Sequence, residues 1–411
     1  MADGEIENTF RREWPRILAA VIRYTGSLEL AEDAVQEAFV RALASRDRQL
    51  LINPAAWITT AAKRIAIDVV RRDATLRQKL PLLAADTPAG GRSGSSALDS
   101  PGGDDRLGLL FVACSPSLAP ETRLALALRF VCGIATSEIA DVMLISHAAM
   151  SARLTRAKRQ LEREGIRLSA PDEPERAGRM DDVLGTVHLL YTVGHTAFEG
   201  EHVDQRPVTV TAIELARTLR RLEPDDREVA GLLALLLLTD ARTTTRTDVL
   251  GHIAPLEEVD RSRWDSDAIS DGLDLAAFAL PGGGRFALQA GISGLHSHAG
   301  DWASTDWASI CALYDRLVER WPSPSVRLAR IVARSFTVGS AAALLELDAL
   351  EPELSGATAR HGVAVRADLL RRLGRAADAR AAYAKARSVE RNIPLRDFFG
   401  RRIDELTGPT N

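Results

Sequence analysis

The apolar and polar positions of this chain repeat with the period of a helix nearly throughout. In the segment Ala31–Leu43, apolar residues recur every three or four positions and form one stripe along a predicted helix. The polar side of that helix is predicted to carry Glu32, Asp33, Gln36 and Glu37. Strand-forming residues rarely cluster anywhere in the chain, so the pattern predicts an all-α protein.

A second helix is predicted to begin at Asn53. Asn53 suits the N-cap, and Pro54 suits the first helical position, where no intrahelical bond needs its missing N–H. Trp57 and Ile58 are expected to begin the buried face. The far end of this helix carries a basic edge that consists of Lys63, Arg64, Arg71 and Arg72.

Three shorter helices are predicted next, over Pro120–Phe130, Thr136–Met143 and Ser146–Glu162. Their lengths and the short turn between the last two are typical of a helix-turn-helix motif. We expect Thr136 or Ser137 to cap the middle helix and Ser146 to cap the last one.

The last helix of this motif has the features of a recognition helix. Met150 and Leu154 lie four positions apart and should point inward. Small polar residues near the start of such a helix can reach base edges, and arginines farther along can contact phosphates. The side chains left for the DNA are Ser151, Arg153, Thr155, Arg156 and Arg159.

The overall charge does not exclude DNA binding. The formal net charge is −4, but residues 151–168 hold six basic residues against two acidic ones. DNA affinity depends on local positive charge, because each neutralised phosphate releases counterions. A basic patch on a nearly neutral protein is therefore sufficient.

Two low-complexity segments divide the chain. The first, near residues 83–105, is rich in Gly, Pro, Ser and Asp, and the second, residues 169–178, contains two prolines. The predicted organisation is a helical domain over residues 5–79, a flexible linker over 80–105, a helix-turn-helix domain over 106–168 and a helical tail over 179–408.

The end of the tail resembles a tetratricopeptide helix pair over Leu373–Ala386. Gly374 is expected to make the turn, Ala379 to permit close helix approach and Tyr383 to fill the groove. Stacked helix pairs offer a concave surface that suits a protein or peptide partner. Because the end of the tail is basic, it would repel a basic recognition helix, which favours a tail that braces the active complex over one that blocks DNA binding.

The sequence gives no support to catalytic, metal-binding or membrane functions. His188, His195 and His202 repeat every seven residues, which places neighbours about 10 Å apart on a helix, too far to share a metal ion. The three cysteines show no pairing motif, as is usual in a reducing compartment. No apolar run approaches the ~20 residues that span a bilayer, and the N-terminus lacks the features of a signal peptide. We therefore expect a cytoplasmic, non-enzymatic protein without cofactor or metal.

The chain resembles region 2 and region 4 of the sigma-70 family in the order and spacing of four segments. These segments are Ala31–Leu43, Trp57–Arg72, the linker and the helix-turn-helix. The arrangement without region 3 is similar to that of the extracytoplasmic-function (ECF) group. The tail resembles the C-terminal tetratricopeptide-like extension of one subgroup, through Asp260–Asp265, Arg285–Leu317 and the final helix pair.

The resemblance implies a sigma factor, which brings RNA polymerase core to promoter DNA and starts transcription. It implies that the clamp helices of the largest polymerase subunit are bound by Asp33, Gln36 and Glu37. The minus-thirty-five element would be contacted by Ser151, Arg153, Thr155, Arg156 and Arg159.

For the minus-ten element, the resemblance implies a loop that captures a flipped base and that consists of Lys63, Arg64, Ile65 and Ala66. Arg71 and Arg72 would hold the phosphates there. The two promoter elements lie roughly 50 Å apart along the duplex, and a linker of about 25 residues can extend to ~85 Å.

Two other functions stay open. The first is a DNA-binding regulator that acts without polymerase, and the second is a ligand sensor or enzyme in the tail that the front half would regulate. Binding of polymerase core distinguishes a sigma factor from the first of these.

Overall fold

The structure is a computed structural model that describes residues 2–44, 53–79, 105–166, 168, 171–195, 206–248 and 252–407. The chain is all-α, as the sequence predicts: these residues contain no β-strand, only an isolated antiparallel bridge between Thr247 and Ile253. The linker expected over 80–105 lies outside the described residues except for Asp105. The chain forms two compact units, unit 1 (Met1–Leu190) and unit 2 (Tyr191–Asn411).

Unit 1 begins with α1 (Ala2–Thr25), α2 (Leu28–Ala44) and α3 (Pro54–Lys79). These helices pack around fully buried side chains, among them Trp14, Val35 and Ile58. Asn53 caps α3 as expected, because its side chain accepts a hydrogen bond from the N–H of Ala56 at 3.1 Å.

The helix-turn-helix follows as α4 (Asp105–Ala113), α5 (Pro120–Phe130), α6 (Thr136–Val142) and α7 (His147–Glu164). The expectation that Thr136 or Ser137 caps α6 is wrong: Ala135 is the N-cap, and the Glu138 side chain accepts from its N–H. Ser146 caps α7 as expected, since it accepts from the N–H of Ala149 at 3.2 Å. In the turn between α6 and α7, Leu144 has a φ of +55°.

Helix α8 (Glu173–His195) occupies much of the segment that the sequence assigned to a break. The two glutamates in its first turn favour a helix start at that place. Its residues up to Leu190 belong to unit 1. Arg179 donates to the carbonyl of Phe111, and Asp182 pairs with Arg123. The tail boundary expected at residue 179 therefore falls inside a helix that packs against the helix-turn-helix.

Unit 2 continues with α9 (Arg206–Leu222), α10 (Arg227–Asp240), α11 (Ser266–Ala279), α12 (Arg285–His298), α13 (Trp307–Arg320), α14 (Pro324–Arg334), α15 (Ser340–Leu350), α16 (Gly356–Arg372), α17 (Ala376–Val389) and α18 (Ile393–Glu405). Successive helices pack against each other around apolar clusters. At the predicted helix pair, Gly374 makes the turn between α16 and α17 with a φ of +72°. Ala379 and Tyr383 are buried against α16, as expected.

The apolar run Gly231–Leu238 lies within α10, and most of its side chains are buried in the core of unit 2. At Gly231 the backbones of α10 and α12 touch, because a Cβ there would lie 2.5 Å from the backbone nitrogen of Ala287. In the described part of the chain, no helix is long and apolar enough to cross a bilayer.

Candidate functional site

The acidic side of α2 is exposed where the sequence predicts polymerase contacts. Asp33, Gln36 and Glu37 all lie on the surface. Glu37 pairs with Arg41 at 2.8 Å along the same helix. Partial burial raises the pKa of Asp33 above its usual value; the nearby Lys158 opposes this shift. The structure thus presents the three predicted side chains together on one helix.

Glu32, the next residue along α2, does not belong to that surface. The sequence placed it on the polar side, but it is only 6% exposed. Its carboxylate accepts from Arg129 Nε at 2.6 Å and from Lys158 Nζ at 2.9 Å. Burial by itself would raise the pKa of Glu32, but the two cations outweigh it and hold the pKa below the usual range. Glu32 is therefore a buried carboxylate that joins α2 to α5 and α7.

Glu162 of α7 forms a second link to α2. Its Oε1 accepts from the Ser27 hydroxyl at 2.8 Å, from the Leu28 N–H at 2.8 Å and from the Glu29 N–H at 3.3 Å. The first N–H groups of a helix have no partner within the helix and attract negative charge. A carboxylate from the helix-turn-helix therefore caps the helix that carries the acidic surface.

The predicted minus-ten residues lie inside α3 and not in a loop, so that part of the expectation is wrong. Residues 55–79 contain neither Gly nor Pro, and the helix continues through them. Arg64 is exposed, whereas Lys63 and Ile65 are half-buried. Ala66 is fully buried, on one stripe with Ile58. Ala66 is therefore not available to a base.

Arginine side chains still line the surface of this helix. Arg71 and Arg72 are exposed, and Arg71 lies two turns beyond Arg64 on the same face. A basic strip of this kind can follow the phosphates of a single strand.

The predicted minus-thirty-five residues divide between different faces of α7. Ser151 and Thr155 are half-buried and share a stripe with Lys158 and Glu162, the two side chains that contact α2. Arg156 and Arg159 are exposed on another face, and Arg153 is half-buried. The structure therefore directs Arg156 and Arg159 to solvent and places the small polar residues beside the contact with α2.

Sequence reasoning missed the residues that join α2 to the helix-turn-helix. The sequence pattern indicated Lys158 only as one cation of a basic patch and Glu162 only as an acidic residue within that patch. A signal was present, because both continue the stripe that begins at Ser151. Their partners could not be found from the local pattern, since Glu32 precedes Lys158 by 126 residues.

Family comparisons assign these helices. The family model Sigma-70 region 2 matches residues 9–75, and the model Sigma-70, region 4 matches residues 109–161. Two parts of this chain are thus similar to domains of the sigma-70 family. Region 2 thus corresponds to α1–α3 and region 4 to α4–α7. Residues 179–280 match a family of unknown function, DUF6596, so the tetratricopeptide-like subgroup stays a prediction.

Full-length similarity extends to an uncharacterized protein of Rhizobium meliloti (strain 1021). The two chains are 36% identical over 400 residues, which cover 95% of this chain and 93% of that protein. The ECF RNA polymerase sigma factor SigJ of Mycobacterium tuberculosis (strain H37Rv) is 26% identical over 214 residues, 48% of this chain and 65% of SigJ. SigG of the same species is 31% identical over 192 residues, 40% of this chain and 50% of SigG. Comparison with solved structures gives no significant match.

The histidine repeat has a local explanation at one position. His195 stacks on Tyr191 with ring centroids 5.2 Å apart. Burial, assisted by Arg246, lowers the pKa of His195 to about 3, so its ring is neutral. His202 lies outside the described residues. Within them, no group of three His, Cys, Asp or Glu side chains is arranged to hold a metal ion.

Proposed function

We propose that the chain is an ECF-type sigma factor of the cytoplasm that binds RNA polymerase core through α2 and promoter DNA through α3 and α7. The observation that carries the proposal is the exposed face of Asp33, Gln36 and Glu37 on the helix that region 4 caps. A regulator that acts without polymerase would not need such an acidic face beside two basic helices. The names of SigJ and SigG support the same assignment.

Charge reversal on α2 tests the proposal. The double variant Asp33→Lys with Glu37→Lys should lose binding to polymerase core, because both side chains are exposed and opposite charge would meet the same partner. The helix should persist, since neither residue is buried. A competition assay for core against the unmodified chain measures the loss.

A matched control reverses two exposed carboxylates of unit 2, Asp271→Lys with Asp274→Lys. It changes the net charge equally and should leave core binding intact. If the α2 double variant competes for core as strongly as the unmodified chain, the proposed contact of α2 with the polymerase clamp helices is refuted. That result would favour a DNA-binding regulator that acts without polymerase.

The contact between region 2 and region 4 has a consequence for promoter binding. Glu32 and Glu162 hold the two regions in direct contact, whereas the two promoter elements lie roughly 50 Å apart. We therefore propose that region 4 separates from region 2 when both elements are bound. Fluorophores attached to cysteines introduced at Val40 and Arg163, both exposed, should lose energy transfer when core and promoter are added. Unchanged transfer in a complex active in transcription would contradict the separation.

The arginines of α7 should have different roles in promoter recognition. Arg153→Ala should relax selectivity at one upstream base pair by about 1–3 kcal/mol if it makes a bidentate base contact. Arg159→Ala should weaken binding to every sequence and lower the salt slope by about one, as loss of a phosphate contact does. Affinities across a promoter library at several salt concentrations distinguish the two, and identical behaviour would refute the division.

We also propose that the tail modulates transcription as a brace, with a protein or peptide partner. Because Arg179 and Asp182 pack on region 4, a truncation that tests this must retain residues up to Leu190. Such a chain should give less transcription from its promoter than the full chain, with the helicity of unit 1 retained. Higher promoter-specific activity would show instead that the tail inhibits.

A further inference from the structure

Unit 2 contains an aromatic-lined cavity of about 380 Å³. Its walls come from residues 255–257, residue 302, residue 336 and helices α12, α13, α14, α16, α17 and α18. Ligand sites commonly occupy about 300–1,000 Å³. A cavity of about 150 Å³ holds one benzene ring, so this one has room for two or three fused rings.

One wall of the cavity is built from three aromatic side chains that contact one another. Trp307 and Phe336 lie nearly parallel, with ring centroids 4.1 Å apart. Trp302 meets both edge-on, at 4.8 Å from Trp307 and 5.2 Å from Phe336. Further aromatic side chains, Phe398 and Phe399, line the cavity from α18. Flat rings on more than one side favour a flat ligand.

The segment that carries Trp302 is fixed by the motif Asp260–Asp265. Arg261 donates to the carbonyl of His296 at 2.9 Å and to that of Ala299 at 2.8 Å. Trp264 is buried and donates to the Thr245 hydroxyl at 2.8 Å. The cavity wall is thus held in place before any ligand enters, which reduces the ordering cost of binding.

His296 lines the cavity beside Trp307, with ring centroids 5.2 Å apart. Burial, assisted by Arg242 and Arg261, lowers the pKa of His296 to about 4, so the ring is neutral at pH 7. A neutral ring adds no charge to the lining and extends its aromatic surface.

The charged side chains of the lining already have counter-ions. Asp368 and Glu257 of the lining lie 2.7 Å and 3.8 Å from Arg371. Arg402 pairs with Glu258 at 2.7 Å and with Glu405 at 2.8 Å. A charged ligand would therefore be buried without a matched partner, which is unfavourable.

We propose that this cavity binds an uncharged, flat aromatic compound of two or three fused rings. The ring system lies against Trp302, Trp307 and Phe336. The proposal concerns unit 2 alone, so it stands independently of the sigma-factor proposal.

Naphthalene derivatives that differ only in charge test the ligand class. The full chain is titrated calorimetrically with 1-naphthol, 1-naphthoate and 1-naphthylmethylammonium at neutral pH. We expect one site per chain and at least roughly tenfold tighter binding of the neutral naphthol than of either ion, because burial of an unpaired charge is costly. Equal affinities, or a naphthol dissociation constant weaker than ~1 mM, would overturn the proposal.

Filling the cavity tests its location. Ala329→Leu and Ala364→Leu, on α14 and α16, each place extra side-chain volume inside. Each should weaken naphthol binding by at least roughly tenfold, since a filled site must rearrange to admit the ring. Ala381→Leu, at an exposed position of α17, is the matched control and should bind as the unmodified chain does. If either filled variant keeps its helicity and thermal midpoint and still binds with full affinity, the site lies elsewhere.

Discussion

In each of the two units, a glutamate from one helix caps the start of another helix, but the surroundings of the two caps differ. In unit 1, Glu162 of α7 accepts from the first N–H groups of α2. In unit 2, Glu228 of α10 accepts from the N–H groups of Phe286 and Ala287 at the start of α12, both at 3.0 Å. Each glutamate satisfies donors that a helix cannot satisfy itself.

The surroundings of the two links differ. Beside Glu162 lies the buried ion cluster of Glu32, Arg129 and Lys158. Beside Glu228 the backbones of α10 and α12 touch at Gly231, within an apolar core. A polar partner such as polymerase, DNA or water can replace the ion pairs and the acceptor of the N–H groups. No polar partner can replace the burial of apolar side chains. The polar links between region 2 and region 4 are therefore exchangeable in a way that the apolar stack of unit 2 is not, although the buried Trp14 also contacts Arg129 across the two regions.

Removal of the central carboxylate should produce the largest effect. Glu32→Ala leaves Arg129 and Lys158 buried without a counter-ion and should destabilise unit 1 by about 3–5 kcal/mol. Denaturant unfolding followed by circular dichroism measures the change. The control Glu37→Ala breaks an exposed pair on the same helix and should cost less than about 1 kcal/mol. Equal costs for the two variants would show that the buried cluster contributes nothing.

The apolar contact of unit 2 can be broken without any change of charge. Gly231→Ala places a methyl group against the backbone of α12 and should destabilise unit 2 by about 1–3 kcal/mol, as overpacking does. Gly178→Ala, in α8, meets no atom within 4 Å and should stabilise the chain by about 0.5–1 kcal/mol. Denaturant unfolding measures the change. If Gly231→Ala leaves the free energy of unfolding unchanged, the close approach of the two helices is contradicted.

Acid should affect the two units in different pH ranges. The pKa values of His195 and His296 are lowered by burial to about 3 and about 4. Between the unfolded value of 6.5 and these folded values, the unfolded chain binds more protons, so unit 2 loses stability as the pH falls through that range.

In unit 1, Arg129 and Lys158 outweigh the effect of burial and hold the pKa of Glu32 below its unfolded value of 4.5. Its contribution is therefore complete above that value and is lost only as the pH falls through the lower folded pKa. Unfolding monitored by near-ultraviolet signals at stepwise lower pH should show unit 2 weakening first. Glu32→Gln should remove the acid-dependent loss in unit 1, and His296→Phe should reduce it in unit 2. Simultaneous weakening in all variants would refute the assignment.

The smallest expected effect lies in the turn of the helix-turn-helix. Leu144 has a left-handed backbone conformation, which costs a non-glycine residue about 1–2 kcal/mol. Leu144→Gly relieves this strain but increases the freedom of the unfolded chain, so a net gain of about 0.5–1 kcal/mol is expected. Leu345→Gly, an exposed position inside α15, should instead lose about 1 kcal/mol. A loss at both positions would show that Leu144 is not strained.

Local patterns determined the helices and their order. Asn53 and Ser146 cap their helices as the sequence indicated, and Gly374 makes the turn of the last helix pair. These features depend on residues within one or two turns of each other, and the sequence shows such neighbours directly. The assignment of region 2 and region 4 came from the same short segments.

Tertiary structure decided which of the charged residues are exposed. Glu32 and Asp33 are adjacent on α2, yet only Glu32 is buried, because Arg129 lies beside it from a position 97 residues later. The aromatic-lined cavity likewise joins Trp302 and Phe336 with Phe398, which no local period connects. Burial and charge pairing depend on what the fold brings close, and the period of a single helix contains no information about its partner.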